Sequence, residues 1–265
     1  LYIGNYIDKS LFSQIHQWIW TSSIMLGYIV ISVFLVSKYL QKFSGYEKKT
    51  SIFSAAPGAL GPLLILAEDE KSDLSQVATA HLIRLIIIIT VFPFIVNSLY
   101  TTDNSTVVET INTNQNITDL LILLVLSIIL IIFFDKLKIP AALLAGTLIA
   151  SGFLQITDVA SYKLPDNIIN YCLLILGASV GCRFANKTFK EIAKNTAHIF
   201  MATTLLVLLG LLAAFIASLV IDKNFFTLLL SYCPGGIYEV AVIAIFFDLD
   251  PEFVSFHHII RLLMK

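Results

Sequence analysis

The chain carries one polar pattern twice, 177 residues apart, within an otherwise apolar sequence. Between positions 54 and 85, ten of 32 residues are identical to the residues 177 positions later, without a gap. The matching polar and special residues are Pro57 and Pro234, Gly58 and Gly235, Asp73 and Asp250, His81 and His258, and Arg84 and Arg261. An apolar composition inflates chance matches among Leu, Ile and Val, but not among these residue types in one register. The sequence therefore predicts a fold built from two related halves.

Long uncharged segments set the class of protein. The chain is 57% hydrophobic and only 13% charged, with a mean hydropathy of +0.86, whereas about a quarter of the residues of a soluble domain are charged. Leu11–Ser37 and 195–221 contain no charged residue and exceed the roughly 20 residues that a membrane-spanning helix needs. We therefore predict an all-α, polytopic transmembrane helical bundle. The composition excludes a disordered chain, a basic nucleic-acid-binding surface and an ordinary soluble enzyme.

Further apolar segments complete the two repeats. They are residues 74–97, 119–134, 139–156 and 168–180, a last segment from Glu252, and two segments interrupted by Pro-Gly, 51–67 and 225–247. We divide the chain into a first membrane repeat (1–98) lacking its N-terminal part, an extracytoplasmic loop (99–117), and a second membrane repeat (118–265) with a truncated C-terminus. Residues 118–177 have no counterpart in the first repeat, so we expect a fragment cut at both ends.

The positions of the lysines and arginines predict how the repeats are oriented. Lys38, Lys42, Lys48 and Lys49 follow the segment 11–37, whereas Arg183, Lys187, Lys190 and Lys194 precede its counterpart, 195–221. Because cytoplasmic loops are enriched in Lys and Arg, the two counterparts should cross the membrane in opposite directions. Inverted repeats result if each repeat has five crossings and its Pro-Gly segment is broken or re-entrant. Six full spans per repeat would give parallel repeats and leave one lysine cluster outside.

The Pro-Gly interruptions point to transport. A break in an apolar helix frees N–H and C=O groups, which cost several kcal/mol in lipid unless protein or a water-filled cavity satisfies them. Inverted repeats with discontinuous helices are a signature of secondary transporters. Two breaks at equivalent positions therefore predict a cavity between the repeats, with helix ends directed at an ion or a substrate.

Five stretches resemble segments of the AbrB-type family of membrane proteins. Residues 56–60 (Ala-Pro-Gly-Ala-Leu) and 233–239 (Cys-Pro-Gly-Gly-Ile-Tyr-Glu) resemble its duplicated Ala-Pro-Gly-Gly-Leu-Ser-Glu-Met segment. Residues 176–184 resemble its Leu-Gly-Ala-Ser-Ile-Gly-x-Arg-Phe stretch, and the Asp and His-x-x-Arg of each repeat resemble its Asp-plus-x-x-Arg tail. The resemblance covers nearly the whole chain. It implies a multi-pass protein of the inner (plasma) membrane, in a family whose members carry the labels regulator of gene expression and ammonia monooxygenase.

Glu239 is the acidic candidate for an ion- or proton-coupling site. It lies five residues after Pro234 within an apolar run, where a carboxylate costs roughly 2.5–3.5 kcal/mol on insertion scales. The structural alternative is a carboxylate near a helix end that pairs with Arg261 or Arg84. The first repeat has Gly61-Pro62 where the family's Ser-Glu would stand, so a symmetric acidic site is not expected.

Two arginines and two histidines complete the candidate substrate- or ion-binding site. Arg84 and Arg261 cannot be neutralised, so each needs a partner. They would bind an anionic group of a substrate or, as we slightly prefer, tie the broken segment to the next helix. His81 and His258 share a helix face with them and could relay protons, although interior histidines with satisfied hydrogen bonds are the commoner case. The full candidate set is Pro57, Gly58, Pro234, Gly235, Gly236, Glu239, Arg84, Arg261, His81 and His258.

The sequence favours a secondary carrier of a small solute or ion. The alternative is a membrane protein that regulates gene expression through a partner without transport; a membrane-bound monooxygenase is a weaker third. We expect no enzyme activity, no catalytic residue, no metal and no cofactor, because no H-x-x-x-H, E-x-x-H, C-x-x-C or nucleotide-binding pattern is present. The expected partners are the lipid bilayer and a small solute or ion, not nucleic acid, and the sequence is compatible with a homo-oligomer.

Overall fold

A computed structural model describes residues 11–58, 60–100, 117–137, 142–157 and 196–263, together with eight single residues between 159 and 182. Every regular element in these residues is an α-helix, which confirms the predicted all-α class. In chain order the helices are α1 (Leu11–Ser44), α2 (Lys48–Ala55), α3 (Leu60–Asp69), α4 (Leu74–Leu99), α5 (Ile117–Lys136), α6 (Ala142–Thr157), α7 (Thr196–Ser218), α8 (Phe225–Tyr232), α9 (Ile237–Phe246) and α10 (Pro251–Leu263).

Four of the described helices are long and apolar enough to cross a membrane. They are Trp18–Ser44 within α1, and the whole of α4, α5 and α7. A helix of about 20 residues reaches the roughly 30 Å of a hydrocarbon core. Their outward surfaces carry large apolar side chains such as Phe34, Phe94 and Leu208, as expected for helices in contact with lipid. About half of the predicted segment 168–180, the cationic residues 183–194 and most of loop 99–117 lie outside the described residues.

The helix boundaries repeat with the sequence. Helices α2 and α8 have eight residues each, α3 and α9 have ten each, and both pairs coincide when shifted by 177 positions. Helices α4 and α10 begin at equivalent positions, Leu74 and Pro251. Asp73 caps α4, because its carboxylate accepts a hydrogen bond from the Gln76 backbone N–H at 3.0 Å. The aligned sequence segments therefore adopt matching local structures.

Each Pro-Gly segment folds back on itself instead of continuing across the bundle. In the first hairpin (α2, residues 56–59 and α3), Lys49 near the start of α2 forms an ion pair of 2.6 Å with Glu70, which follows α3. In the second hairpin (α8, residues 233–236 and α9), Lys223 before α8 lies 3.4 Å from Asp250 after α9. Eight to ten helical residues extend only about 12–15 Å. Each hairpin thus enters and leaves at one end of the bundle, with its tip about halfway through.

Helices α1 and α7, which occupy equivalent places in the two repeats, pack antiparallel. Near the middle of both helices, the Tyr28 hydroxyl donates to the backbone oxygen of Leu206 at 3.4 Å. Towards the end of α1, the Tyr39 ring lies 6.5 Å from the His198 ring, near the start of α7. Since α1 leads into the first hairpin and α7 into the second, the hairpins enter the bundle from opposite ends. This arrangement supports the inverted topology, whose orientation in a membrane stays a prediction.

The largest core cluster joins both repeats. It brings Met25 of α1, Ile88 of α4 and Ala214 of α7 against the second hairpin and Phe253 of α10. Helices α5 and α6 form a pair of their own, in which a Cβ on Gly146 would lie 2.9 Å from the backbone nitrogen of Ile131. Only glycine permits that close approach. The core therefore lies between α1, α4, α7 and the hairpins, where the candidate residues also lie.

Candidate functional site

The tip of the second hairpin is an extended strand of backbone between two short helices. Helix α8 ends before Cys233 (φ −58°, ψ 131°), and α9 begins after Gly236 (φ −76°, ψ 149°). Pro234 lacks an N–H and cannot continue a helix, so the carbonyl groups at the end of α8 have no helical partners. Pro234 and Gly235 are buried. The tip therefore presents unpaired carbonyls inside the protein, and these need donors.

Arg261 of α10 supplies donors to this tip. Its Nη1 donates to the Cys233 oxygen at 2.6 Å, and its Nη2 donates to the Gly235 oxygen at 2.7 Å. The side chain is only 1% exposed. A cation at a helix C-terminus is also favoured by the helix dipole. Arg261 thus fastens the tip of the second hairpin to the following helix, which is the structural role anticipated for it, through backbone carbonyls in place of a carboxylate.

His258 extends the same set of contacts by one helical turn. Its Nε2 lies 3.0 Å from the Leu230 oxygen, and its Nδ1 lies 2.8 Å from Nη2 of Arg261. An arginine nitrogen can only donate, so Nδ1 accepts and Nε2 carries the proton that it donates to Leu230. Both ring nitrogens are therefore engaged in this arrangement.

The first hairpin is held in the same way. Arg84 of α4 donates through Nη1 to the Ala56 oxygen at 3.1 Å and through Nη2 to the Ser54 oxygen. His81 Nε2 lies 3.0 Å from the Phe53 oxygen. Arg84 is only 4% exposed, and Pro57, at the tip of the first hairpin, is also buried. The sequence pattern His-x-x-Arg therefore marks a helix that binds the broken end of the preceding half-helix.

Neither guanidinium group has a carboxylate partner among the described residues. The two ion pairs found there, Lys49–Glu70 and Lys223–Asp250, lie at the hairpin bases. The Nε atoms of Arg84 and Arg261 are buried and have no hydrogen-bond partner. The alternative in which Glu239 pairs with one of the arginines is therefore not found. Within the described part of the chain, these two interior positive charges are therefore met by backbone carbonyls and, at Arg261, by Nδ1 of His258.

Glu239 lies over the tip of the second hairpin. It is the third residue of α9, where an acidic side chain is favoured by the helix N-terminus. A Cβ added to Gly236 would lie 2.0 Å from Glu239 Oε2, so the carboxylate occupies the space that a side chain at position 236 would take. Glu239 is partly exposed. In the first hairpin, Gly58, the counterpart of Gly235, is partly exposed. The side chain at position 62, the counterpart of Glu239, lies outside the described residues.

The second tip packs against the opposite repeat. A Cβ on Gly235 would lie 3.2 Å from Cγ2 of Ile88, one turn after Arg84 on α4. The Tyr28 and Tyr232 rings meet edge to face at 6.2 Å, and a Cβ on Gly210 of α7 would lie 3.6 Å from the Tyr28 hydroxyl. The structure therefore brings Arg261, His258, Gly235 and Tyr28 together at the second tip, which packs on α4 one turn from Arg84.

Three residues of this region, Tyr28, Thr21 and His257, were not singled out in the sequence. Tyr28 lies in an uncharged helix, where no pattern distinguished it. His257 of α10 donates through Nδ1 to the Phe253 oxygen at 2.8 Å, which leaves its Nε2 to accept from the Thr21 hydroxyl of α1 at 2.7 Å. Its position next to His258 in an apolar helix was the available signal. The contact from α10 to α1 joins the two repeats close to the base of the second hairpin.

The chain is similar in sequence to one described protein family and to proteins of two bacteria. Residues 1–264 match the family described as transition state regulatory protein AbrB. The chain is 23% identical over 281 aligned positions to "Uncharacterized protein YhjN" of Bacillus subtilis (strain 168), covering 99% of this chain and 72% of that protein. It is 21% identical over 240 positions to "Putative regulator AbrB" of Escherichia coli (strain K12), covering 88% of this chain and 67% of that protein. No solved structure is significantly similar to the chain.

Proposed function

We propose that this chain, which belongs to the AbrB family, is a secondary carrier. It would move a small solute or ion across the inner (plasma) membrane between its two hairpins. The observation that carries the proposal is the pair of half-length hairpins that enter from opposite ends of the bundle and are each fastened by a buried arginine. Discontinuous helices that meet near the middle of a membrane, between inverted repeats, are typical of carrier binding sites.

The way in which the hairpin tips are held suits alternating access. Each tip is fixed to its own repeat by side chain-to-backbone hydrogen bonds, whereas Gly235 meets the other repeat at the apolar side chain of Ile88, and apolar contacts are non-directional. The hydrogen bonds between the repeats, Tyr28–Leu206, Tyr232–Thr21 and His257–Thr21, would have to break during the movement. In this arrangement both guanidinium groups are sealed from solvent. Movement of one repeat against the other would open the site to one side at a time.

In this proposal Glu239 is the coupling residue. It is the one carboxylate at a described hairpin tip, and it is partly exposed while the arginines are buried. A carboxylate in that position can take up a proton or a cation from one side and release it to the other. The first repeat has Pro62 at the equivalent position, so coupling would proceed through one hairpin only.

Uptake by the reconstituted protein tests the proposal. Proteoliposomes containing the full-length protein should accumulate at least one solute of a broad radiolabelled panel under a proton or sodium gradient. Glu239→Gln should uncouple uptake from the gradient, whereas Gly27→Ala should leave it unchanged, because a Cβ on Gly27 meets nothing within 4 Å. The carrier would be contradicted if no solute of the panel were taken up and if Glu239→Gln had no effect on cells that carry it.

Regulation of gene expression through a partner is the second candidate. The family description and the name of the Escherichia coli relative favour it. Crosslinking in cells distinguishes the two candidates. A stable cytosolic partner, recovered with a protein that shows no flux, would support regulation and contradict the carrier.

A further inference from the structure

The charge balance of the interior is uneven. Arg84 and Arg261 are 4% and 1% exposed, and neither has a carboxylate partner among the described residues. Arginine stays protonated under all ordinary conditions, and burying a charge is costly unless it is paired. Each half-helix C-terminus supplies only about half a negative charge. Counting the described residues alone, roughly half a positive charge therefore remains uncompensated at each of the two hairpin tips.

Hydrogen-bond donors are left over as well as charge. A guanidinium group has five N–H donors, and Arg84 uses two of them, on the Ala56 and Ser54 oxygens. Arg261 uses three, on Cys233, Gly235 and His258. The Nε–H of each is buried without a partner. Buried donors of this kind are uncommon in proteins and call for an explanation.

The two arginines belong to one region. The second tip, which Arg261 holds, packs on Ile88, one helical turn from Arg84. Tyr28 lies at the same tip: its ring meets that of Tyr232, the residue before Cys233, at 6.2 Å, and its hydroxyl makes a long hydrogen bond of 3.4 Å to Leu206. Arg84 and the tip that Arg261 holds therefore lie on adjoining faces of α4 and the second hairpin. The acidic candidate Glu239 lies over Gly236, and no ion pair joins it to either arginine among the described residues.

From this charge and donor excess, we infer that the carried solute is a small anion, such as a carboxylate or an oxyanion, bound between Arg84 and Arg261 beside Tyr28. This inference rests on the proposed carrier function and specifies its substrate class. The anion would accept hydrogen bonds from the two Nε–H groups and neutralise the remaining positive charge. The guanidinium group is suited to this, because its fork of donors matches the geometry of carboxylates and phosphate-like groups. The carbonyl contacts keep each guanidinium oriented while the site is empty.

Ligand-dependent thermal stability of the purified full-length protein tests the inference. Sodium acetate, succinate, phosphate and sulfate are compared at matched ionic strength with sodium gluconate, a bulky reference anion, and with the cation choline and the neutral solute glycerol. At least one small anion should raise the apparent melting temperature in a saturable manner. A rise with choline or glycerol alone would overturn the inference.

Variants connect the effect to the arginines. Arg84→Gln and Arg261→Gln should each weaken the affinity for the stabilising anion by roughly tenfold or more, whereas Lys49→Gln, which removes an exposed cation of the first hairpin, should leave it unchanged. If a Gln variant does not fold, Arg84→Lys and Arg261→Lys retain the charge but lose the fork of donors, and a weaker affinity is expected in them. An unchanged affinity in all folded variants would overturn the inference.

Flux separates this inference from the carrier proposal. An inside-positive membrane potential should accelerate uptake of the stabilising anion into proteoliposomes when no compensating ion is coupled. Binding of the anion without any flux would support the anion site and contradict the carrier. Flux of only cations or neutral solutes would keep the carrier and reject the anion.

Discussion

Arg84 and Arg261 are bound in the same way in the two halves of the chain. The Nη1 of each donates to the carbonyl oxygen of the residue before the proline of its own hairpin, at 3.1 Å to Ala56 and 2.6 Å to Cys233. In both cases 28 residues separate donor and acceptor. A helix broken by proline needs donors for its last carbonyls, and the next helix provides them.

Loss of this contact should destabilise the protein. Arg261→Gln leaves the Cys233 and Gly235 carbonyls without the guanidinium donors, and an unsatisfied buried polar group costs about 1–3 kcal/mol. We expect a clear fall in the apparent melting temperature of the purified protein. Lys223→Gln is the matched control, because Lys223 pairs with Asp250 at the partly exposed hairpin base, where such pairs contribute about 0–1 kcal/mol. An equal effect of both variants would contradict the role of Arg261.

Two adjacent glycines should respond differently to alanine. A Cβ at position 235 meets Val240 Cγ2 at 2.6 Å and Ile88 Cγ2 at 3.2 Å, so Gly235→Ala must displace packed side chains and should cost about 1–3 kcal/mol. The three atoms nearest to a Cβ at position 236 all belong to the carboxyl group of Glu239, which can rotate away.

Gly236→Ala should therefore fold normally but alter uptake as Glu239→Gln does. Gel filtration and melting temperature report folding, and proteoliposome uptake reports function. Normal uptake by a well-folded Gly236→Ala protein would show that the position of the Glu239 carboxylate has no part in transport.

The contact between His257 and Thr21 should stabilise the packing of α10 on α1. Thr21→Val keeps the shape but removes the hydroxyl that lies 2.7 Å from His257 Nε2, so a loss of about 1–3 kcal/mol is expected. Ser23→Ala is the control, because Ser23 is exposed and bonds only within its own helix, to Ile19. Equal melting temperatures for both variants would argue against this contact.

The sequence allowed the helices and the two breaks to be predicted, but not the path of the chain through each break. Pro-Gly interrupts the backbone ladder equally well in a helix that continues and in one that turns back. The turn follows from contacts between residues far apart in sequence, such as Lys49 with Glu70. The inverted order of Lys and Arg predicted opposite directions for α1 and α7, and their antiparallel packing agrees with it.

The sequence pointed to the arginines and histidines beside the two breaks, but not to their hydrogen bonds. The alignment of the two repeats predicted that these side chains are needed in both, and the structure buries Arg84 and Arg261. Their carbonyl partners could not be predicted, because every residue has a carbonyl and only the fold determines which ones are left unpaired. Tyr28 escaped notice for a similar reason: an aromatic residue in an apolar helix is ordinary until its neighbours are known.

Sidedness of the two hairpin bases tests the central claim most directly. Asp69 and Asp222 are both exposed, at the bases of the first and second hairpins respectively. Single cysteines, Asp69→Cys and Asp222→Cys, are introduced into a protein carrying Cys172→Ser, Cys182→Ser and Cys233→Ala, and are labelled in intact cells with a membrane-impermeant maleimide. We predict that Asp222→Cys is labelled from outside and Asp69→Cys only after the membrane is opened. Labelling of both from the same side would contradict hairpins that enter from opposite faces.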